Sequence, residues 1–202
     1  MIAQADDFRW DFGEPLAGDR AVAVEGTELA GRRIALLVTG GIAAYRTPDL
    51  ARALRRAGAA VHACVTPTGL QFVTLDALHW ATAQPVEHAL DGRAHHVEGT
   101  CDAYLVAPAT YSTLNKVAAG IADNAVTTVL ASALGLCEQG RAAVLVAPTM
   151  HGSMWNAILR ESLARLANLG VTVIPPRGGD GKARLPDEDV LVQAVVSALA
   201  AR

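Results

Sequence analysis

Short apolar runs alternate with amphipathic segments along most of the chain. The runs are typical of buried strands and span residues 33–38, 59–66, 103–110, 142–149 and 171–176. Apolar residues at helical spacing occupy residues 47–57, a stretch from 68 onward, 112–119, 124–136 and 153–169. Strands that are apolar throughout are typical of parallel sheets covered on both faces. The pattern therefore predicts an α/β fold with a doubly wound, mainly parallel sheet and helices on both faces.

Composition is consistent with one layered domain of this kind. The chain has 202 residues, of which 51% are hydrophobic, and 18 glycines punctuate it. That much apolar material is enough for a single three-layer domain of the flavodoxin-like or Rossmann-like type. We assign this domain to residues 31–202.

Residues 1–30 differ in character from the rest of the chain. Acidic residues outnumber basic ones there, yet Phe8, Trp10 and Phe12 lie close together. One interpretation is a disordered leader. The other is an N-terminal arm that docks on its own or a neighbouring subunit, because large aromatic rings are unfavourable in water. Both interpretations stay open at this point.

Charge and cysteine content exclude several classes of function. The formal net charge is −3, which indicates no basic surface for nucleic acid or anionic membranes. Cys64, Cys101 and Cys137 stand singly, which argues against a disulfide framework and against a zinc site. The N-terminal residues lack a signal-peptide pattern, and no apolar stretch approaches the ~20 residues of a membrane span. We expect a cytoplasmic protein without membrane, nucleic-acid or metal partners.

Small and hydroxyl-bearing residues follow three of the predicted strands. They are Thr39, Gly40, Gly41 and Ile42 after the first strand, Thr66 and Thr68 after the second, and Pro108, Ala109, Thr110 and Ser112 after the third. The carboxyl ends of parallel strands share one sheet edge, where backbone N–H groups and hydroxyls can bind an anion. Small residues also let the backbone approach a flat ligand. A Gly-Gly pair alone is often only a tight turn, but the three loops together indicate a phosphorylated planar cofactor.

Four sequence blocks occur in order along the chain. They are VTGGIAAYR (38–46), VTPTGLQFV (65–73), APATYSTLNKVAAGIADN (107–124) and APTMHGSMW (147–155). Together they resemble the flavoprotein family that contains 4′-phosphopantothenoylcysteine decarboxylase and the peptidyl-cysteine decarboxylases of ribosomal peptide antibiotics. The third block is the most specific, and it departs from the family pattern at Tyr111 and Ser112, where the family usually has Ala-Asn.

The resemblance implies FMN as the cofactor. It implies that the loops named above bind FMN together with a neighbouring subunit, in homo-trimers that can assemble into dodecamers. It also adds four residues of the matching blocks to the cofactor-binding set, namely Phe72, Asp123, Asn124 and Met150.

The resemblance further implies a histidine base before the third predicted strand. His96, which is followed by Val97, fits the family context best. The spacing from His96 to Asp102 is shorter than the family's usual spacing, so His95 remains a second candidate.

Substrate-binding residues are implied by the fourth block and by the glycine-rich segment 176–186. His151 stands where the family has an Asn that binds the substrate carboxylate, and Met150 precedes it. An imidazole N–H can also donate to a carboxylate. The segment resembles the family's substrate clamp, and its cationic residues are Arg177, Lys182 and Arg184. It lacks the cysteine that serves the phosphopantothenoylcysteine enzymes as an acid in their final reduction.

The resemblance thus implies FMN-dependent oxidative decarboxylation of a cysteine substrate. A cysteine-terminated precursor peptide, converted to an aminoenethiol, is favoured because the clamp has no cysteine, the arm is acidic and aromatic, and no fused synthetase domain is expected. The alternative substrate is 4′-phosphopantothenoylcysteine of coenzyme A biosynthesis. An alternative of another class is a non-catalytic FMN-binding regulatory subunit, which the substitutions at Ser112 and His151 would reflect.

Overall fold

A computed structural model of the chain describes residues 18–90 and 101–202. The strands, in chain order, are β1 (Arg33–Val38), β2 (Ala60–Val65), β3 (Val86–Glu87), β4 (Ala103–Ala109), β5 (Ala143–Pro148), β6 (Met150–His151), β7 (Thr172–Val173), β8 (Arg177–Gly179) and β9 (Lys182–Arg184). The α-helices are α1 (Thr47–Arg56), α2 (Leu75–Thr82), α3 (Tyr111–Ala118), α4 (Ala125–Glu138), α5 (Ala157–Asn168) and α6 (Glu188–Ala200). Short 3-10 helices occupy Ile42–Arg46, Gly69–Gln71 and Gly152–Met154.

Six strands form one sheet in the order β3-β2-β1-β4-β5-β7, and every pairing in it is parallel. The chain builds outward from β1 on one side and from β4 on the other. The strand order therefore reverses between β1 and β4, where doubly wound sheets open a crevice beyond the carboxyl ends of their strands. The predicted doubly wound α/β fold is confirmed.

The central strands bury both of their faces because alternate side chains point to opposite sides of a sheet. On β1, Ile34 and Leu36 join a core formed with α1, α2 and α6. Leu37, between Leu36 and Val38, joins a second core formed with α3, α4 and α5. This two-sided burial explains why the strands have no polar alternation in the sequence.

Several elements differ from the sequence prediction. The stretch from residue 68 begins as the 3-10 helix Gly69–Gln71, and α2 starts only after Thr74, whose hydroxyl accepts the N–H of Ala77 at 3.1 Å. The helix predicted from Ser153 begins at Ala157, because the Asn156 side chain caps it through the N–H of Leu159. The predicted strand 171–176 pairs only through β7.

The segment after β7 contains structure that the hydrophobic pattern does not indicate. Strands β8 and β9 form an antiparallel hairpin, and β9 also pairs with β6 in a small three-stranded sheet, in the order β6-β9-β8. Helix α6 then closes the chain against the first core through Leu191 and Val195. The hairpin occupies the part of the sequence that resembles the substrate clamp.

Residues 18–30, the described part of the predicted arm, lie against α1 and α2 of the same chain. The Asp19 carboxylate accepts the indole N–H of Trp80 at 3.0 Å, and Arg20 donates to the His79 ring at 2.8 Å. Further along, the N–H of Glu25 donates to the carbonyl of Arg56 at 2.9 Å. These contacts attach residues 19–25 to their own subunit.

No helix among the described residues combines the length and apolar character that a membrane span requires.

Leu105 tests how far the sheet depends on its central strands. The side chain is 0% exposed on β4, so Leu105→Ala leaves a cavity, and we expect a loss of ~2–5 kcal/mol in the free energy of unfolding. Chemical denaturation followed by circular dichroism measures the loss. Val190→Ala on α6 is the control, since Val190 is 49% exposed and its truncation should change stability by about 0.5 kcal/mol or less. Equal losses in the two variants would contradict this core assignment.

Candidate active site

A buried hydroxyl joins the ends of β1 and β4 at the point where the strand order reverses. Thr39 is 0% exposed, and its Oγ1 donates to the carbonyl of Pro108 at 2.7 Å. The same oxygen accepts the backbone N–H of Thr110 at 3.1 Å and lies 3.2 Å from Thr110 Oγ1. The loops after the two strands are therefore fixed to each other, which places their exposed edges side by side.

Gly40 and Gly41 let the neighbouring loops approach closely. A Cβ at Gly40 would lie 2.5 Å from the Cβ of Thr68, and one at Gly41 would lie 3.3 Å from Cγ2 of Thr110. Gly40 is thus required by packing against the loop after β2, whatever ligand the loops bind. The three loops that the sequence singles out do meet at one edge of the sheet.

A pocket of about 740 Å³ opens at this edge. Its floor includes residues from the first and third loops, namely Gly40, Gly41, Ile42, Thr110 and Ser112. Met150 and His151 of β6 form part of its wall, and Arg177, Lys182 and Arg184 of the hairpin form its rim. The pocket lining therefore contains all five residues predicted to bind substrate and six of the fourteen predicted to bind the cofactor, with Met150 counted in both sets.

Other predicted cofactor residues lie outside the lining of this pocket. Thr66 is buried and accepts the N–H of Gly69 at 3.0 Å, whereas Thr68 and Phe72 are exposed on the next turn. Pro108 and Ala109 are buried beneath the floor. Their roles toward a cofactor remain predictions.

Asp123 and Asn124 form a polar cluster at the start of α4, away from the pocket lining. Asn124 and Thr127 make a reciprocal capping box, and Asp123 pairs with Lys116 at 2.5 Å. The hydrogen bond from Lys116 holds the pKa of the Asp123 carboxyl below its usual range. This arrangement explains the residues structurally as a helix start, and their contact with a cofactor stays a prediction.

His151 faces the pocket in a defined orientation. Its Nδ1 accepts the backbone N–H of Ser153 at 3.2 Å and lies 2.8 Å from the Ser153 hydroxyl. Because Nδ1 is an acceptor, the ring proton of the neutral imidazole is on Nε2. That leaves one directed N–H donor for a ligand. Met150 beside it is 9% exposed and packs in the second core.

Close backbone contacts attach the clamp hairpin to β6. His151 pairs with Lys182 in the small sheet, and the N–H of Gly152 donates to the carbonyl of Gly181 at 2.8 Å. A Cβ at Gly152 would lie 2.4 Å from that carbonyl oxygen, so only glycine fits here. The position of His151 is therefore set together with that of the hairpin.

The pocket is lined with cations. Besides Arg177, Lys182 and Arg184 it includes Arg46, and its described lining residues contain no carboxylate. Arg184 pairs with Asp180 within the hairpin, and Arg177 pairs with Asp187 at 2.9 Å. Lys182 forms no ion pair with any other residue that the structure describes. The lining is suited to an anionic ligand.

Sequence reasoning omitted several lining residues, including Arg46, Tyr45, Tyr111, Thr149 and Met154. Arg46 and Tyr45 close the first matching block, and Tyr111 is one of the two departures from the family pattern, so the blocks themselves carried a signal. Met154 is 41% exposed. The OH of Tyr111 lies 3.3 Å from the amide nitrogen of Asn156, the residue that caps α5.

None of the chain's three cysteines lines the pocket. Cys64, Cys101 and Cys137 are all buried. Burial raises the pKa of Cys101 to about 11 and also raises the pKa of Cys64. Because all three thiols are buried and lie outside the pocket lining, none of them contacts a ligand bound there.

The candidate bases His95 and His96 lie outside the described residues. Their roles stay predictions.

The residues of the pocket fit a flat, phosphorylated cofactor. Its volume of about 740 Å³ falls within the usual range for cofactor sites. Thr110 and Ser112 supply hydroxyls, and the 3-10 helix Ile42–Arg46 begins with N–H groups that have no intrahelical partner. FMN, the cofactor implied by the sequence blocks, carries the ring system and phosphate that such a lining can bind.

Known proteins are similar to this chain in sequence and in fold. The coenzyme A biosynthesis bifunctional protein CoaBC of Thermococcus kodakarensis is 35% identical over 184 residues, covering 88% of this chain and 44% of that protein. The chain thus spans less than half the length of that relative.

Two solved structures are similar over nearly their whole length. The FMN-dependent cysteine decarboxylase SpaF has a TM-score of 0.72 at 25% identity, covering 86% of this chain and 98% of that chain. The FMN-dependent cysteine decarboxylase TvaF of thioviridamide biosynthesis has a TM-score of 0.70 at 27% identity, covering 85% and 99%. The model of the family described as Flavoprotein matches residues 23–200, so this chain belongs to the Flavoprotein family.

Proposed function

We propose that this protein is an FMN-dependent cysteine decarboxylase and that its substrate is 4′-phosphopantothenoylcysteine. The observation that carries the proposal is the pocket between the loops after β1 and β4. Its lining joins a floor of glycines and hydroxyls to the cationic side chains of the rim, those of Arg177, Lys182 and Arg184. Such a lining suits a phosphorylated flavin and a substrate that carries both a carboxylate and a phosphate.

The relatives support this choice of substrate. CoaBC, a protein of coenzyme A biosynthesis, is 35% identical to this chain, whereas SpaF and TvaF are 25% and 27% identical. The comparison favours the substrate that the sequence blocks left as the alternative, so the order of the two substrates is reversed here.

His151 is proposed to hold the substrate carboxylate. Its Nε2–H donates to the carboxylate, and the Ser153 N–H on Nδ1 keeps the ring in the required tautomer. When bound, FMN supplies two-electron oxidation of the substrate, which gives the electrons of the breaking carbon–carboxylate bond a place to go. His96, or His95 in its place, is proposed to remove the thiol proton.

A cysteine-terminated peptide is the second candidate substrate. No thiol lines the pocket, since Cys64, Cys101 and Cys137 are all buried. An enzyme without a thiol acid can release the enethiol after decarboxylation instead of reducing it, as the sequence blocks imply for the peptide decarboxylases. The fate of the enethiol and the choice of substrate are therefore separate questions.

A homo-oligomer is also proposed, with the pocket at its subunit interface. Ile42 is 70% exposed and Tyr45 is 62% exposed, and both lie at the pocket. Covering these side chains with a neighbouring subunit would remove apolar surface from water and close the site. A trimer is the state that the sequence blocks imply.

Turnover of matched substrates tests the reaction. We expect protein loaded with FMN to convert 4′-phosphopantothenoylcysteine with a higher kcat/KM than a peptide that ends in cysteine, because only the first carries a phosphate for the cationic rim. Mass spectrometry of products separates loss of CO2 alone from loss of CO2 and two hydrogens. Preference for the peptide would restore the second candidate. Flavin binding without loss of CO2 from either substrate would instead indicate the non-catalytic subunit.

Thr39→Val tests the floor of the flavin site. The substitution keeps the side-chain volume but leaves the buried Pro108 carbonyl and Thr110 N–H without their partner. Each such group costs ~1–3 kcal/mol, so we expect FMN affinity to fall about tenfold or more in a fluorescence titration. Thr82→Val is the matched control, because Thr82 is equally buried and bonds only within and just after α2. A similar loss of FMN affinity in both variants would contradict the assignment of the loops joined by Thr39 to the flavin site.

His151→Leu tests the carboxylate contact. Loss of the N–H donor should lower kcat/KM about a hundredfold, whereas His151→Asn, which restores an amide donor, should retain most of the activity. Ser153→Ala is the control, since it keeps the backbone N–H that bonds Nδ1. Steady-state rates with unchanged flavin content provide the measurement, and full activity of His151→Leu would reject this role.

A further inference from the structure

Asp187 precedes α6 at the position of its N-cap, but its side chain does not cap the helix. Its carboxylate instead accepts from Nη1 of Arg177 at 3.0 and 2.9 Å and from Nη2 of Arg46 at 3.3 Å. Asp is a favoured N-cap residue because its oxygen normally accepts a helix N–H. Here Oδ1 of Asp187 accepts hydrogen bonds from Arg177 and Arg46, two arginines of the pocket lining.

Arg177 is held through one nitrogen only. Both carboxylate oxygens of Asp187 accept from Nη1, and Nη2 and Nε donate to no other residue that the structure describes. A guanidinium has five N–H donors in a planar fork, so the remaining donors are available at the pocket rim. The side chain is 52% exposed, which leaves it open to a ligand.

Arg46 is bound on all sides and cannot serve a ligand in the same way. Its Nε and Nη2 donate to Oε1 of Glu188 at 3.0 and 2.7 Å, and its Nη1 donates to the carbonyl of Leu185 at 3.1 Å. The side chain is only 19% exposed. Arg46 therefore anchors the start of α6, and with it Asp187, to the 3-10 helix at the pocket floor.

We propose that Asp187 is a positioning residue for the substrate phosphate: fixed by Arg46, it holds Arg177 by Nη1 and so directs the free N–H groups of Arg177 to the phosphate. The inference rests on the proposed function, because it assumes a phosphorylated substrate. Arg46, Arg177, Asp187 and Glu188 balance in charge. Attraction for the phosphate thus comes from the directed N–H groups and from the nearby Lys182.

A double-mutant cycle in the full chain loaded with FMN tests whether Asp187 acts through Arg177. We call this indirect action of Asp187 the relay. The variants are Asp187→Ser, Arg177→Met and the two combined. Serine is also a favoured N-cap, so the start of α6 is kept while the partner of Arg177 is removed. We expect KM for 4′-phosphopantothenoylcysteine to rise about threefold in Asp187→Ser and about tenfold in Arg177→Met, with kcat nearly unchanged. The combined variant should match Arg177→Met, because Asp187 acts only through Arg177.

Two controls separate positioning from general effects. Asp180→Asn, in the turn of the hairpin, makes the same change in charge but affects Arg184 instead, and Asn tolerates the positive φ of 48° at this position. It should leave KM within about twofold of wild type. Pantothenoylcysteine without the phosphate should show the same KM with wild type and with Asp187→Ser.

The outcomes distinguish this inference from the proposed function. If wild type does not turn over the substrate, the proposed function fails, and the same cycle is measured as the affinity for inorganic phosphate by titration calorimetry. The relay is overturned if Asp187→Ser lowers KM or the phosphate dissociation constant, since Asp187 would then compete with the phosphate. It is also overturned if the effects of the two substitutions are additive, or if Asp180→Asn has the same effect.

Discussion

The floor of the site depends on the two hydrogen bonds that the Thr39 hydroxyl makes. At 0% exposure it bonds both the Pro108 carbonyl and the Thr110 N–H, which joins the loops after β1 and β4 where the strand order reverses. A parallel sheet opens a crevice there because its chain departs in opposite directions from the two central strands. Without a fixed distance between these loops, the floor of the pocket would have no defined shape.

The rim is fixed by a different kind of contact. Backbone pairing of β6 with β9 places His151 beside Lys182, and the close approach of Gly152 to Gly181 requires glycine. At the other end of the hairpin, Arg46 and Asp187 connect Arg177 to the start of α6. The hairpin is therefore attached both to the sheet edge and to the last helix, so a ligand meets oriented donors instead of a free loop.

Two departures from the family pattern, at positions 151 and 111, have physical explanations in this fold. At position 151 an imidazole, fixed through Nδ1 by the Ser153 N–H, still presents one donor, as an amide would. Tyr111 contacts Asn156, which caps α5, so the larger residue is accommodated by the start of the next helix. The cysteine missing from the clamp is not replaced elsewhere, because every thiol of the chain is buried.

The sequence by itself determined the layered α/β fold, most strand positions and the three loops of the site, because buried parallel strands and their glycine and hydroxyl turns are local patterns. It also identified His151 through the fourth matching block, and Arg177 and Lys182 through the glycine-rich segment 176–186. Only the tertiary structure decided which residues meet. The hairpin β8–β9, the capped start of α5 and the anchoring of Asp187 by Arg46 join residues that are far apart in sequence, or depend on side-chain bonds that periodicity does not encode.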